Sequence, residues 1–231
     1  MQKGIFYGIG IGPGDPELIT VKAARILGIA DVIAIPESKK EKGSLAYDIA
    51  KQYLKNDART MVLTFPMIYD DDAKAAFRKE NAGKIREEIE NGNNVVFITL
   101  GDPMIYSTYI YLLECLKDQG INVQIIPGIT SFSAVASILG IPLVKGNEKF
   151  CVIPDYDDST EKMTDLFDCI IFMKVSTYKE KIVGLLKKKE SSFFLISNAG
   201  KKNEKIINNI PDLEKEQLPY FSTLIMYKKV T

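Results

Sequence analysis

Short apolar, β-branched runs alternate with stretches of helical periodicity along the first part of the chain. Residues 4–9 (GIFYGI), 32–35 (VIAI) and 61–65 (MVLTF) read as strands, and residues 18–27 and 45–54 between them read as helices. Strand and helix taking turns in this way is the rhythm of βαβ units and predicts a parallel sheet. A long amphipathic helix comes next: Asp70, Asp71 and Asp72 mark its start, Phe77, Ile85 and Ile89 its apolar face, and Asn91-Gly92 its end. A strand over 95–100, a helix over 105–117 stopped by Gly120, a strand over 123–126 and a helix over 131–139 stopped by Gly140 complete the series. Five strands with interleaved helices make a self-sufficient open α/β sheet. Residues 1–141 are therefore expected to form a first domain.

After Ile141-Pro142 the pattern changes. Strands are expected near 151–153, 170–174, 193–197 and 222–227, with one basic helix over 179–189. Residues 155–168 are polar and rich in acids, which predicts a loop with a short helix, and 201–205 reads as a hairpin or tip. The second domain, 142–231, is thus a smaller mixed α/β unit.

Composition narrows the chemistry. The chain of 231 residues is 46% hydrophobic and 26% charged, which suits a globular protein with a real core. Thirty Lys and Arg balance thirty Asp and Glu, so no net charge draws the chain to a nucleic-acid backbone, and a nucleic-acid partner is disfavoured. The absence of histidine removes Ser-His-Asp triads, Cys-His pairs, HExxH helices and His-based zinc sites together. Proton transfer is left to Asp, Glu, Lys, Tyr or Cys. Cys115, Cys151 and Cys169 lack CxxC spacing and read as reduced packing cysteines, with no metal site indicated. No stretch has the form of a signal peptide or a membrane span, so a cytoplasmic protein without a membrane partner is expected.

Three loops at the ends of expected strands carry unusual residues. The first, Gly8-Ile9-Gly10-Ile11-Gly12-Pro13-Gly14-Asp15-Pro16, misses the GxGxxG spacing of dinucleotide binding, because Pro13 or Asp15 falls where the third glycine belongs. Asp15 and Pro16 suit a helix cap and first helical residue, while so many glycines suggest close approach of a ligand. The second, Thr99 to Tyr109, holds Gly101 and the pair Asp102-Pro103, which also reads as an N-cap and first helical residue. The third, Ile126 to Ser133, offers Thr130 or Ser131 as an N-cap. Ligands of open α/β sheets bind at the carboxyl ends of strands, where all three loops lie.

GIGPGDP, LGDPMIYSTY and PGITSFSA, in this order and spacing, resemble the tetrapyrrole methylase family, and IIFMK (170–174) and LISNAG (195–200) extend the likeness over nearly the whole chain. Within that family the stretch from Asp102 to Glu114, with PGITSFSA, is most similar to the C-20 methyltransferases acting on precorrin-2 or cobalt-factor II in cobalamin synthesis. The resemblance implies two α/β domains with the active-site cleft between them, S-adenosylmethionine as cofactor, a tetrapyrrole substrate and a homodimer. It carries cofactor contacts to Pro13, Gly101, Asp102, Ile105, Thr130, Ser131, Met173, Ala199 and Thr223.

Methyl transfer from a sulfonium needs alignment and exclusion of water more than a metal or covalent intermediate. Asp102 is the candidate for managing the proton lost from the methylated carbon, and Tyr106, next to the matched loop, the candidate for substrate contact. Lys39, Lys40, Lys42 and Lys174 are candidates for the substrate's carboxylates, and Tyr69 and Tyr109 for packing on its ring. Other readings keep the family but change the acceptor to another corrinoid precursor, uroporphyrinogen III, a ribosomal RNA ribose or the modified histidine of a translation factor. A last one keeps only ligand binding, without catalysis.

Overall fold

In the computed structural model residues 3–37, 44–66, 68 and 70–228 are described. The chain divides into two compact units, Met1–Thr130 and Ser131–Thr231.

The first unit runs β1 (Phe6–Gly10), a 3-10 turn (Pro16–Leu18), α1 (Val21–Leu27), β2 (Val32–Glu37), α2 (Leu45–Ala50), β3 (Arg59–Thr64), α3 (Asp71–Glu90), β4 (Val95–Thr99), α4 (Tyr109–Lys117) and β5 (Val123–Ile126). Its strands form one parallel sheet in the order β3-β2-β4-β1-β5. The central strands are apolar at nearly every position because both faces are covered, as crossover helices require. Tyr7, Ile9, Ile33, Val96 and Ile98 pack on one face with Ala23 and Leu27 of α1 and Ile49 of α2. Their neighbours Phe6, Val32, Val95 and Phe97 turn to the other face and pack with Ile85 and Ile89 of α3 and Leu112 and Leu116 of α4. Burying each such side chain contributes roughly 1.5–3 kcal/mol.

The second unit runs α5 (Ser131–Leu139), β6 (Phe150–Ile153), α6 (Thr160–Leu166), β7 (Cys169–Met173), a 3-10 turn (Val175–Thr177), α7 (Lys179–Lys189), β8 (Ser192–Ser197), β9 (Lys205–Ile207), α8 (Ile210–Lys215) and β10 (Ser222–Tyr227). Its sheet has the order β6-β7-β10-β8-β9. β6 and β7 are parallel, while β10 runs antiparallel to both β7 and β8. Phe172, Leu195, Leu224 and Met226 face Ile182, Leu185 and Leu186 of α7, and Cys169, Ile171, Ile196 and Ile225 face Phe132 and Val135 of α5.

Three details differ from the sequence reading. α5, expected to close the first domain, belongs to the second unit, because Phe132 and Val135 are buried against the second sheet. The division therefore falls one helix before the expected boundary at 141. α4 begins at Tyr109 rather than near 105, since Tyr106 takes a left-handed φ of 50° that a helix cannot continue through. Asp102-Pro103 accordingly does not start a helix. Finally, the segment 201–205 connects β8 to an antiparallel β9, a hairpin as expected, but neither β9 nor the short α8 is evident from the pattern. No helix among the described residues is long and apolar enough to cross a membrane.

Candidate functional site

Strands β4, β1 and β5 are adjacent and parallel, so the loops leaving their carboxyl ends meet. The meeting is backbone on backbone. Ile11 N donates to Thr99 O at 3.0 Å and Gly101 N to Gly12 O at 2.8 Å, which makes a short antiparallel bridge between Gly12 and Gly101. A Cβ on Gly128 would lie 2.1 Å from Gly101 O, and one on Gly10 would lie 2.4 Å from the same oxygen. Gly12 and Gly101 also take φ values of 80° and 68°, which side chains disfavour.

At Gly8 and Gly10 these contacts correct the expectation that the glycines make room for a ligand. The space at Gly10 is filled by neighbouring backbone, and the space at Gly8 by the ring of Tyr109, 2.1 Å from where a Cβ would stand. Tyr109 itself is fully buried between Phe6 and Phe97, with ring centroids 5.6 and 5.8 Å away, and is a core residue rather than a surface for a substrate ring. Asp15 does cap the turn that follows: its side chain accepts from Glu17 N at 2.9 Å, with Pro16 as the first residue.

Asp102, half-buried, has both carboxylate oxygens engaged. Oδ1 accepts from Met104 N at 2.8 Å and Oδ2 from Gly128 N at 3.0 Å. The first bond closes a turn within its own loop; the second ties that loop to the one after β5. Ser107 completes the arrangement, its Oγ accepting from Tyr109 N at 3.1 Å and lying 3.1 Å from Thr99 Oγ1. The geometry adds a positioning role to the proton handling expected of this carboxylate, whose oxygens keep further lone pairs. With the loops fixed from below, the segment Met104, Ile105 and Tyr106 is left 46%, 38% and 49% exposed, an apolar surface at the ligand edge of the sheet. Pro13 is half-buried beside Gly12, and Thr130 directly precedes α5, which Ser131 opens.

In the second unit Met173, Thr223 and Ala199 share one edge of the sheet. Met173 ends β7 and lies opposite Thr223 near the start of β10, while Ala199 follows the end of β8, whose Ser197 lies opposite Ser222. Ser197 and Ser222 join hydroxyls at 2.9 Å, and Asn198 N donates to Phe221 O at 2.8 Å. Lys174 and Asn198, the residues after Met173 and before Ala199, are left-handed, with φ of 56° and 53°. With Tyr106, three of the four non-glycine residues of positive φ among the described residues abut expected contacts, the placement that backbone strain favours at ligand sites.

The titratable groups offer little for nucleophilic chemistry. Burial pushes the Cys169 thiol up to about 12 and raises that of Cys151 as well, so neither is a ready thiolate. Among the described residues no group of three acidic, Cys or His side chains is placed to hold a metal ion. Lys39, Lys40, Lys42 and Tyr69 lie outside the described residues. Sequence reasoning gives no separate weight to Gly128, Lys201, Tyr220 or Phe221, although the Pro-Gly pair after β5 and the aromatic pair before the last strand are visible signals.

A parallel sheet with interlocked glycine loops at its carboxyl edge, followed by a mixed sheet, defines a two-sheet α/β protein. The chain belongs to the tetrapyrrole (corrin/porphyrin) methylases, whose family profile matches residues 6–214. It is 36% identical over 225 residues to a probable cobalt-precorrin-2 C(20)-methyltransferase of Methanocaldococcus jannaschii, covering 96% of this chain and 95% of that protein. It is 35% identical over 233 residues to the cobalt-precorrin-2 C(20)-methyltransferase of Salmonella typhimurium, covering 99% and 98%. A solved uroporphyrin-III C-methyltransferase of Thermus thermophilus, complexed with S-adenosylhomocysteine, shares the fold with a TM-score of 0.69 at 18% identity, over 97% of this chain and 92% of that one.

Proposed function

We propose that the chain transfers a methyl group from S-adenosylmethionine to C-20 of precorrin-2 or its cobalt form, in cobalamin synthesis. The observation that carries this reading is the end-to-end likeness to proteins named for that reaction, which spans both sheets and all three loops of the first. S-adenosylmethionine, when bound, supplies an electrophilic methyl on a sulfonium. The residues present suit such a group: a neutral nucleoside, a sulfonium and a zwitterionic amino-acid end call for hydroxyls, backbone donors and acceptors, and apolar surface. The first sheet's edge offers Pro13, Gly101, Ile105 and Thr130, and the second's Met173, Ala199 and Thr223, with Ser131 at the start of α5.

The chain's own contribution is mainly to orient and to keep water out. The apolar Met104–Ile105–Tyr106 segment suits the face of a macrocycle. Asp102 holds this segment in register through Met104 N and Gly128 N, so its effect on the reaction runs through the loops. The reaction joins the methyl to a carbon nucleophile and releases one proton from that carbon. A homodimer, implied by the family resemblance, and a cytoplasmic location belong to the same reading.

The test is an anaerobic incubation of the purified chain with S-adenosylmethionine and either precorrin-2 or cobalt-factor II, followed by mass and absorbance. One added methyl on one of the two substrates, with S-adenosylhomocysteine released in equal amount, is the expected result and names the form used. No methyl on either, with S-adenosylhomocysteine still bound, would overturn the C-20 assignment.

A further inference from the structure

At the edge of the second sheet that holds Met173, Ala199 and Thr223, two lysines sit over two aromatic rings. Lys201 Nζ lies 4.4 Å from the ring centroid of Phe221, and Lys174 Nζ lies 5.9 Å from that of Tyr220. The rings stand edge to face, 5.4 Å apart, each 41% exposed. Chain geometry forces the grouping. Lys174 follows β7, Lys201 follows β8, and Tyr220 and Phe221 lead into β10, which pairs with both strands. The left-handed turns at Lys174 and Asn198 steer the chain where it leaves the two strands.

These two lysines differ from their neighbours. Lys187, Lys188, Lys189 and Lys205 are each paired with a carboxylate, and Lys179 donates to two backbone carbonyls. Among the described residues no carboxylate pairs with Lys174 or Lys201. Glu204, the nearest acid along the chain to Lys201, turns its carboxylate to Gly200 N at 2.7 Å instead. Burial disfavours the charged form of Lys201 and lowers its pKa, a cost that a bound anion would relieve. An ammonium resting on a ring face keeps donors free on its outer side and loses less side-chain freedom when an anion arrives.

We infer that Lys174 and Lys201, carried on Tyr220 and Phe221, form a subsite for a carboxylate side chain of the tetrapyrrole substrate. The inference rests on the function proposed above and adds to it the residues that read the acidic periphery of the ring. Exposed aromatic surface beside two uncommitted ammonium groups suits a flat, apolar body with carboxylates at its rim. The other source of the same chemistry is the amino-acid carboxylate of the cofactor, and the experiment separates the two.

Three quantities are measured on the full chain and its variants: KM and kcat for the tetrapyrrole, the Kd of S-adenosylhomocysteine by calorimetry, and the Kd of uroporphyrin III by fluorescence titration. K174Q and K201Q are each expected to raise the tetrapyrrole KM and the uroporphyrin Kd about 5–10-fold, as loss of one charge-assisted contact does. The kcat and the S-adenosylhomocysteine Kd should stay within about twofold. K201R should recover most of the loss, which separates loss of charge from loss of packing. Thermal midpoints equal to that of the parent show that the variants fold. The inference is overturned if the parent fails to bind uroporphyrin III, or if the double variant K174Q/K201Q leaves both KM and uroporphyrin affinity unchanged. It is equally overturned if only S-adenosylhomocysteine binding weakens, which would give the lysines to the cofactor. If the parent binds uroporphyrin III yet methylates no tetrapyrrole, the proposed function fails, and the uroporphyrin titration of the variants alone decides the subsite.

Discussion

The carboxylate of Asp102 accepts a hydrogen bond from Gly128 N at 3.0 Å with one oxygen while the other accepts from Met104 N at 2.8 Å, so one side chain joins the loop after β4 to the loop after β5. Both acceptors are charged, and such bonds contribute roughly 1.5–3 kcal/mol each where they are shielded from water. Asp102→Ala removes both and leaves two amides to find water. Unfolding in urea should show a loss of about 2 kcal/mol, given the half-buried site. Asp102→Asn keeps one carbonyl acceptor and should lie between the two. If positioning is the role, S-adenosylhomocysteine affinity and kcat should fall together along the series. A fall in kcat for Asp102→Asn with cofactor affinity intact would instead return the residue to proton transfer.

The same junction makes a sharp contrast between two glycines. A methyl on Gly128 would meet Gly101 O at 2.1 Å and the Gly10 carbonyl carbon at 2.8 Å, all of it backbone that cannot swing aside. Gly128→Ala should destabilise by about 3 kcal/mol, the upper range for overpacking, and weaken S-adenosylhomocysteine binding because the loops must separate. Gly184, exposed in the interior of α7, has nothing within 4 Å of the point where a methyl would stand, and an ordinary helical backbone. Gly184→Ala should stabilise by about 1 kcal/mol, since alanine costs less to hold in a helix. Urea midpoints that moved in the same direction for both variants would contradict the packing described.

This junction also marks where sequence reading stops. The strands are legible because a strand covered on both faces is apolar throughout, as residues 95–98 are, and the helices because their apolar positions recur with helical spacing. Asp15 and Pro16 are legible because capping is local. The need for glycine at 10 and 128 is not, since it arises from three loops distant in sequence meeting at one point. Likewise, the apolar face of α5 is visible in the sequence but not which sheet Phe132 and Val135 will choose. β9 is three residues long, and its Ile206-Ile207 pair is too short an apolar run to read as a strand. The candidate cofactor residues come from the family motifs; the structure adds that Met173, Ala199 and Thr223 share one edge of the second sheet, and that both Asp102 oxygens accept hydrogen bonds from loop amides.

At the opposite, amino edge of the first sheet, Asp31 gives a prediction in pH. Its Oδ1 accepts from Lys55 Nζ at 2.6 Å and its Oδ2 from Asn94 N at 2.8 Å, while Asn94 Oδ1 accepts from Ile5 N at 3.2 Å, so the starts of β1, β2 and β4 are joined. Partial burial raises the Asp31 pKa, but the Lys55 and Asn94 hydrogen bonds and the charges of Lys55 and Arg59 outweigh it and hold the carboxyl below its ordinary 3.8. A folded-state pKa below the unfolded one means fewer protons bound in the folded state. The stabilisation is therefore complete above the unfolded value and drains away as pH falls through the folded one. Asp31→Asn cannot ionise and lacks that acid-side loss. Urea unfolding of the parent and Asp31→Asn at several pH values should show the parent more stable near neutrality, with the gap closing below about pH 4. Other carboxylates held low, such as Glu88 beside Arg59, add the same slope to both proteins and cancel in the comparison. A gap that stayed constant down to the acid limit would mean that the Asp31 contacts add nothing dependent on its charge.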